Sequence, residues 1–323
     1  MASPRPTWGL LLALLLPACA GAVRPAAVVK VGPGDPGARI AGLDACTPGG
    51  AGRLGLDPDR PLTLFVHGCK DSGGRFRELA QVFEAHGQQT ACFNYDHRRS
   101  IDDTAGELVQ ALEALQAKLR PGQLTVLAHS QGGLVARRAL VAERADPLRA
   151  AGGFTYRLFT VSSPFGGIRA SSHCGARWLH WATLGITALV CQVVAGSNWT
   201  EIPPGSAMTR HPGTLGPEVR VALKVVTDER GSCRRRGDDG ACREDDYVFS
   251  VGEQENTAVD ADPRLAVEVV RAGHVEIVGG EGVVPAKLIA VLQQHGILAR
   301  TPPERREEIA ALVARLFAAD AAR

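Results

Sequence analysis

The sequence lacks an excess of charge of either sign. Its 323 residues include 36 lysines and arginines against 34 aspartates and glutamates, which gives a formal net charge of +2. Proteins that bind nucleic acid through its phosphates usually have a basic surface, so this balance gives no support for a nucleic-acid partner. Hydrophobic residues make up 45% of the chain and charged residues 22%, which is typical of a folded globular protein. We expect one large α/β domain with insertions.

Aromatic residues are also scarce, at 5% of the chain, yet three of the four tryptophans fall between Pro164 and Pro217. These are Trp178, Trp181 and Trp199. The alternation of strands and helices predicted elsewhere stops in this stretch, and an apolar run lies between Cys174 and Cys191. We predict that residues of about 165–217 form a cap insertion over a cleft. An ordinary buried helix is the alternative for the apolar run.

The N-terminal apolar run from Trp8 to Leu16 is too short to span a bilayer comfortably. Arg5 precedes it and small residues follow it, which is the layout of a signal peptide, placed here at residues 1–22. Cys19 also lies where a bacterial lipobox would place a lipid-modified cysteine. We therefore expect an exported protein, secreted or periplasmic, which is either soluble or anchored to lipid through Cys19.

Eight cysteines in an exported chain predict disulfides, because the destination is oxidising. Two pairs bracket short loops, and we predict the disulfides Cys174–Cys191 and Cys233–Cys242. Apart from Cys19, the remaining cysteines are Cys46, Cys69 and Cys92. Because their number is odd, we expect at least one free thiol.

Strands and helices alternate from residue 61 to about residue 298, which is typical of a mostly parallel sheet covered by helices on both faces. The predicted strands are 62–66, 90–95, 124–128, 154–161, 219–227 and 266–271. The predicted helices are 75–85, 104–119, 131–144 and 283–298. Residues 302–323 read as an appended amphipathic helix, which we expect to pack on its own domain.

Ser130 lies in the sequence AHSQG, residues 128–132, between a predicted strand and a predicted helix. A serine hydroxyl becomes a usable nucleophile on a strained strand-to-helix turn beside a base. Small residues two positions away on either side, here Ala128 and Gly132, let that turn close. The usual GxSxG pattern begins with glycine, so Ala128 is a variant of it. We predict Ser130 as the nucleophile; a helix-capping serine is the alternative.

A serine nucleophile also needs backbone amides for the developing oxyanion and a histidine as base. The amide of Gln131 is one predicted oxyanion donor. The other is the amide of Cys69, because His67-Gly68-Cys69 directly follows the first clear strand. Position after the last strand selects His274 as the base among nine histidines.

The acid that orients the base should lie between the strand ending near residue 227 and His274. Asp228, Asp245 and Asp246 all qualify by position. Asp246 is preferred, because the short apolar segment Tyr247-Val248-Phe249 directly follows it. The Cys233–Cys242 loop is then an insertion between the strand and the acid. The role of the acid would be to hold the tautomer of the imidazole and stabilise its charged form.

Together these motifs resemble the lipase and esterase branch of the α/β-hydrolase superfamily, over about residues 60–300. Residues 162–167, Ser-Ser-Pro-Phe-Gly-Gly, resemble a Pro-His-x-Gly step of that branch with Phe165 in place of histidine, and residues 202–206 resemble a lipase-type cap motif. The resemblance implies the α/β-hydrolase fold: a mostly parallel sheet with helices on both faces and a cap insertion. The hydrolase domain would cover residues 23–301, followed by the appended helix.

The resemblance also implies a serine hydrolase that cleaves carboxylic esters through an acyl-enzyme on Ser130, without a metal or other cofactor. We expect a small-molecule or lipid ester as substrate, transient contact with a membrane or lipid surface, and no nucleic acid. The alternatives are an acyltransferase or thioesterase with the same three residues, and a ligand-binding protein without catalysis on the same scaffold. The oligomeric state does not follow from the sequence.

Overall fold

A computed structural model describes residues 39–46, 54–69, 71–120, 122–172, 196–280 and 282–318. The predicted signal peptide with Cys19 lies outside these residues, as do the predicted Cys174–Cys191 disulfide and the apolar run between those cysteines. None of the helices in the described ranges combines the length and the apolar character that crossing a membrane requires.

The described chain is organised around a seven-stranded sheet. Its strands are β1 (Leu43–Asp44), β2 (Leu62–Val66), β3 (Gln89–Phe93), β4 (Gln123–His129), β5 (Thr155–Val161), β6 (Val219–Asp228) and β9 (Leu265–Arg271), in the spatial order β1-β3-β2-β4-β5-β6-β9. All neighbouring strands are parallel except β1, which pairs with β3 in antiparallel register. A separate two-stranded hairpin contains β7 (Cys233–Arg236) and β8 (Cys242–Asp245). Each predicted strand is present, with its ends shifted by two residues or fewer.

Eight α-helices lie in the described ranges. They are α1 (Arg77–Ala85), α2 (Ile101–Gln116), α3 (Gln131–Ala139), α4 (Ala207–Arg210), α5 (Val251–Gln254), α6 (Thr257–Asp260), α7 (Ala286–Gln294) and α8 (Arg306–Leu316). Helix α2 begins three residues before its predicted start, because the Ser100 hydroxyl caps it by accepting from the amides of Asp102 and Asp103. Helix α3 ends at Ala139, five residues before its predicted end, since Val141 then pairs with Leu215 in a β-bridge.

Hydrophobic side chains fill the space on both faces of the sheet. On one face, α2 and α3 pack their buried residues against the β2 and β4 side chains that point that way, such as Leu64 and Val126. On the other face, α1 and α7 pack against the alternate residues, such as Phe65 and Leu127. Helix α8 packs on α1 and contacts the second cluster through Val313 and Leu316, and Phe317 directly after the helix is buried in that cluster. This contact agrees with the expectation that the appended helix packs on its own domain.

Disulfides tie two parts of the described chain together. Cys233 is bonded to Cys242, as predicted, and Cys46 is bonded to Cys92 across 46 residues of sequence. Cys69 is disulfide-bonded as well. The expectation of a free thiol among Cys46, Cys69 and Cys92 is therefore wrong: the pairing of β1 with β3 brings Cys46 beside Cys92, and the two-residue strand β1 gave no periodic signal in the sequence. The Cys46–Cys92 disulfide should stabilise the folded protein by about 4 kcal/mol, because it lowers the chain entropy of the unfolded state.

Candidate active site

Four polar side chains meet at the carboxyl edge of the parallel sheet. Ser130, Ser162 and Glu229 each directly follow the last residue of a strand, namely β4, β5 and β6, and His274 lies three residues after β9. These four strands are consecutive neighbours in the sheet. Because the carboxyl ends of parallel strands lie at the same edge, residues far apart in sequence converge there.

Ser130 lies on a strained turn between β4 and α3. Its backbone angles are φ 56° and ψ −128°, and its amide donates to the carbonyl of Val161 at 2.9 Å. A Cβ atom added at Gly132 would lie 2.3 Å from the carbonyl oxygen of His67, so α3 approaches the end of β2 as closely as only glycine permits. The expectation that this turn needs a small residue after the serine agrees with the geometry.

The imidazole of His274 lies next to the Ser130 hydroxyl. Its Nε2 is 3.1 Å from Ser130 Oγ, and its Nδ1 is 3.1 Å from Glu229 Oε1. The ring of Phe249 meets the imidazole edge-on at a centroid distance of 4.9 Å. The structure therefore brings together the two residues predicted as nucleophile and base, and adds a carboxylate on the far side of the ring.

Glu229 is a buried carboxylate with several hydrogen-bond donors. Its side chain is fully inaccessible to solvent, and Oε2 accepts from the backbone amides of Val248 and Phe249, the latter at 2.8 Å. Burial alone raises the pKa of Glu229, but the hydrogen bond and charge of His274, together with the two amides, outweigh burial and hold that pKa below its ordinary value. Glu229 is thus held as an anion beside the imidazole.

The preferred acid, Asp246, does not hold the imidazole, and this prediction requires correction. Its carboxylate accepts from the backbone amides of Val275 and Glu276 at 3.0 and 2.9 Å, and from Arg234 at 3.0 Å. Its carbonyl oxygen accepts from the amide of His274 at 3.0 Å. Asp246 therefore holds the loop that includes the base, whereas the ring itself is bonded to another carboxylate.

The two other candidate aspartates are also engaged elsewhere. Asp228 forms an ion pair with Arg230 at 2.7 Å, and Asp245 accepts from the amide of Tyr247 at 2.9 Å. The window between the end of β6 and His274 contains the carboxylate that reaches the imidazole, but that residue is Glu229, which was not among the three candidates. Since glutamate serves as well as aspartate in triads of this order, a carboxylate two residues after the predicted end of the strand at residue 227 was the signal in the sequence.

The two predicted oxyanion donors lie in the segments that flank Ser130. The amide of Gln131 is the first of α3, and the Gln131 side chain donates to the carbonyl of His97 at 2.9 Å. Cys69 follows Gly68, where an added Cβ atom would lie 2.9 Å from Ser130 Cβ. The loop after β2 therefore passes directly against the candidate nucleophile, which is the placement that an oxyanion loop requires.

His67 packs against Tyr95 and bonds to the loop after β2. Its ring stacks on Tyr95 at 4.3 Å, its Nδ1 donates to the carbonyl of Gly68 at 2.8 Å, and the Tyr95 hydroxyl donates to the carbonyl of His67 at 2.7 Å. Burial lowers the pKa of His67 to about 4. The neutral imidazole is therefore the form that the folded protein holds at neutral pH.

This buried histidine predicts a loss of stability in mild acid. The unfolded chain takes up a proton at His67 near pH 6.5, whereas the folded chain does so only near pH 4. The free energy of unfolding should therefore fall as the pH drops from 6.5 to 4, and His67 should account for about 3 kcal/mol of that loss. Urea denaturation of the wild type and of His67→Gln across this range measures the effect.

The His67→Gln variant should show a shallower pH dependence than the wild type, because the titrating group is gone. The exposed His211 provides the matched control, and His211→Gln should keep the wild-type slope. Equal slopes for all three proteins would contradict the assignment of a depressed pKa to His67.

The two motifs that resemble hydrolase sequences, residues 162–167 and residues 202–206, lie against each other. The amide of Ile168, just after the first motif, donates to the carbonyl of Ile202 in the second at 2.8 Å. Phe165 is buried, and its carbonyl accepts from the Asn256 side chain at 2.9 Å. The start of the predicted cap is thus bonded to the domain at Phe165, while residues 173–195 lie outside the described part of the chain.

Comparison with known proteins bears on the fold. No protein-family model and no curated protein sequence matches this chain. The crystal structure of the mature form of the Bacillus licheniformis lipase BlEst2 matches with a TM-score of 0.50 at 14% identity, over 74% of this chain and 93% of that one. The propeptide form of the same lipase matches with a TM-score of 0.52 at 14% identity, over 76% of this chain and 52% of that one. The sheet order and these matches show that the chain has the α/β-hydrolase fold.

Proposed function

We propose that this chain is an exported serine hydrolase that cleaves carboxylic esters through an acyl-enzyme on Ser130. One observation carries the proposal: the imidazole of His274 lies between the Ser130 hydroxyl and the Glu229 carboxylate, 3.1 Å from each. This order of groups is the arrangement that activates a serine hydroxyl for acyl transfer, whatever the fold around it.

In the first step, Ser130 Oγ attacks the ester carbonyl while Nε2 of His274 takes the hydroxyl proton. The imidazole thereby becomes positively charged, and the buried anion of Glu229 stabilises that charge at Nδ1. The protonated Nε2 then gives its proton to the leaving alcohol. The acyl group remains on Ser130 as an ester.

Negative charge develops on the carbonyl oxygen during this attack. The amides of Cys69 and Gln131 are the proposed donors to that oxygen, and a fixed donor of this kind lowers the barrier by about 3–4 kcal/mol. In the second step, His274 takes a proton from water, which attacks the acyl-enzyme and releases the acid. Ser130 then regains its proton from Nε2.

The disulfides support export, because such bonds persist in oxidising compartments. The Cys46–Cys92 and Cys233–Cys242 bonds are compatible with a secreted or periplasmic protein. The signal peptide proposed at residues 1–22, with or without lipid on Cys19, would deliver the chain there.

Turnover of p-nitrophenyl esters of increasing acyl length tests the proposal. We expect hydrolysis with saturation kinetics and a preference among chain lengths set by the cap. Product analysis in the presence of an alcohol should show the free acid as the main product. A transferred ester as the main product would identify an acyltransferase, and saturable binding without turnover would identify a ligand-binding protein; either result would overturn the proposal.

A further inference from the structure

A second serine contacts the imidazole at its other nitrogen. Ser162 Oγ lies 2.8 Å from Nδ1 of His274, whereas Ser130 faces Nε2. Both serines directly follow a strand and have positive φ, 48° and 56°; among the described residues that are not glycine, Cys46 is the only other one with positive φ. Such backbone conformations are unfavourable for these residues and cluster at functional sites.

Ser162 cannot act as a second nucleophile, because it has no access to a substrate. Its relative solvent exposure is 0%, against 5% for Ser130. Its amide donates to the carbonyl of Val225 at 2.9 Å, which fixes the turn after β5 to the neighbouring strand β6. Its hydroxyl faces the interior of the site and bonds to groups there.

The hydrogen bonds around Ser162 are consistent with its hydroxyl accepting the Nδ1 proton of His274. Nδ1 of His274 must hold a proton if Nε2 is to accept one from Ser130. The Ser162 hydroxyl donates to Glu229 Oε1 at 2.8 Å, which leaves its lone pairs free to accept. The Nδ1 proton thus meets two acceptors, Ser162 Oγ at 2.8 Å and Glu229 Oε1 at 3.1 Å.

Two further residues fix this orientation. The Thr227 hydroxyl lies 2.7 Å from Ser162 Oγ, 2.9 Å from Glu229 Oε1 and 3.2 Å from Gln254 Oε1, and Ser162 is thus the nearest of its three acceptors. Thr227 is itself held by Gln254, whose Oε1 accepts from the Thr227 amide at 2.9 Å and whose Nε2 donates to the Thr227 carbonyl at 2.8 Å. When the Thr227 hydroxyl donates to one lone pair of Ser162 Oγ, the other lone pair is available to accept the proton on Nδ1.

We propose that Ser162 is a positioning residue that shares the Nδ1 proton of His274 with Glu229 and so holds the imidazole toward Ser130. This inference rests on the proposed function of the same site. As the imidazole becomes positively charged, the Nδ1 proton stays between two fixed acceptors, and the Ser162 hydroxyl keeps the Glu229 carboxylate in place. No proton leaves Nδ1 in this arrangement.

Ser162→Gly tests the proposal, because glycine adopts the positive φ without strain and only the side chain is lost. We expect kcat for p-nitrophenyl ester hydrolysis to fall by about 10- to 100-fold, as for loss of a hydrogen bond to a charged group, with KM changed by less than about twofold. Ser163→Ala is the matched control, since Ser163 is a buried neighbour whose hydroxyl donates to the carbonyl of Val161. It should keep the wild-type kcat.

The proton resonance of His274 Nδ1–H provides a readout that needs no substrate. It should shift in Ser162→Gly and stay in place in Ser163→Ala. Ser162→Ala replaces Ser162→Gly in both measurements if the glycine variant does not fold. If the wild type hydrolyses no ester, the proposed function fails, and the resonance alone decides the role of Ser162. An unchanged resonance, or an unchanged kcat in an active enzyme whatever the effect on stability, would overturn the inference.

Discussion

Replacing Ser130 with alanine is expected to lower kcat/KM for ester hydrolysis by about four to six orders of magnitude while the protein stays folded. In the proposed mechanism the hydroxyl is the attacking group, and the other groups of the site cannot form the acyl-enzyme without it. The substitution removes one oxygen atom from a turn whose backbone is already fixed by the Ser130 amide and by the close approach at Gly132. Steady-state kinetics and thermal unfolding on the same sample measure both effects.

The control for this variant is another buried serine outside the site. The Ser171 hydroxyl donates to the carbonyl of Ile168 at 2.7 Å. Ser171→Ala should keep kcat/KM within about twofold of the wild type and should lower the free energy of unfolding by about 1 kcal/mol. Turnover by Ser130→Ala at the rate of Ser171→Ala would contradict the role given to Ser130.

Replacing Glu229 with glutamine is expected to lower kcat by about three to four orders of magnitude. The amide is nearly isosteric, but it no longer provides the negative charge that stabilises the imidazolium, and it permits the wrong tautomer of His274. KM should change little, because Glu229 is buried behind the imidazole and does not face the substrate. Steady-state kinetics over a range of ester concentrations separate kcat from KM.

Asp246→Asn is the matched variant for the alternative carboxylate. Asp246 bonds to the amides of Val275 and Glu276 and to Arg234, so its loss of charge should destabilise the loop by about 1–3 kcal/mol. The effect on kcat should stay below about tenfold, because the imidazole keeps its own carboxylate. A larger loss of kcat in Asp246→Asn than in Glu229→Gln would restore Asp246 as the acid.

The framework of the fold was predictable because its signals are local. Strands β2 and β4 are almost entirely buried and most of their residues are apolar, and α1 and α2 repeat their apolar residues at helical spacing. The approach of His274 to Ser130 was predictable as well, because each residue follows a strand at a fixed place in the order of the chain. These signals need no knowledge of distant contacts.

The choice of acid failed because nearness in sequence does not tell where a side chain points. Asp246 does lie beside His274, and its carbonyl oxygen bonds to the amide of that residue. Its carboxylate, however, is directed at the amides that follow the histidine. The β7–β8 hairpin returns the chain to this place, while Glu229 reaches the imidazole directly from the end of β6.

Two other features depend on long-range pairing that the sequence pattern does not contain. Ser162 meets His274 across 112 residues, and its motif gave only a resemblance to a Pro-His-x-Gly sequence. Cys46 meets Cys92 through the register of β1 on β3, and a two-residue strand has no periodicity to detect. In both cases the contact follows from the order of strands in the sheet, which the alternation of elements leaves open.

The site that an activated-serine probe labels tests the central claim most directly. A fluorophosphonate reacts with a serine only when a neighbouring base activates it and the hydroxyl is accessible. Peptide mass spectrometry after treatment of the wild-type protein should find one adduct, on Ser130, and His274→Ala should abolish it. No adduct on the folded wild type, or an adduct on Ser162 in place of Ser130, would contradict the account.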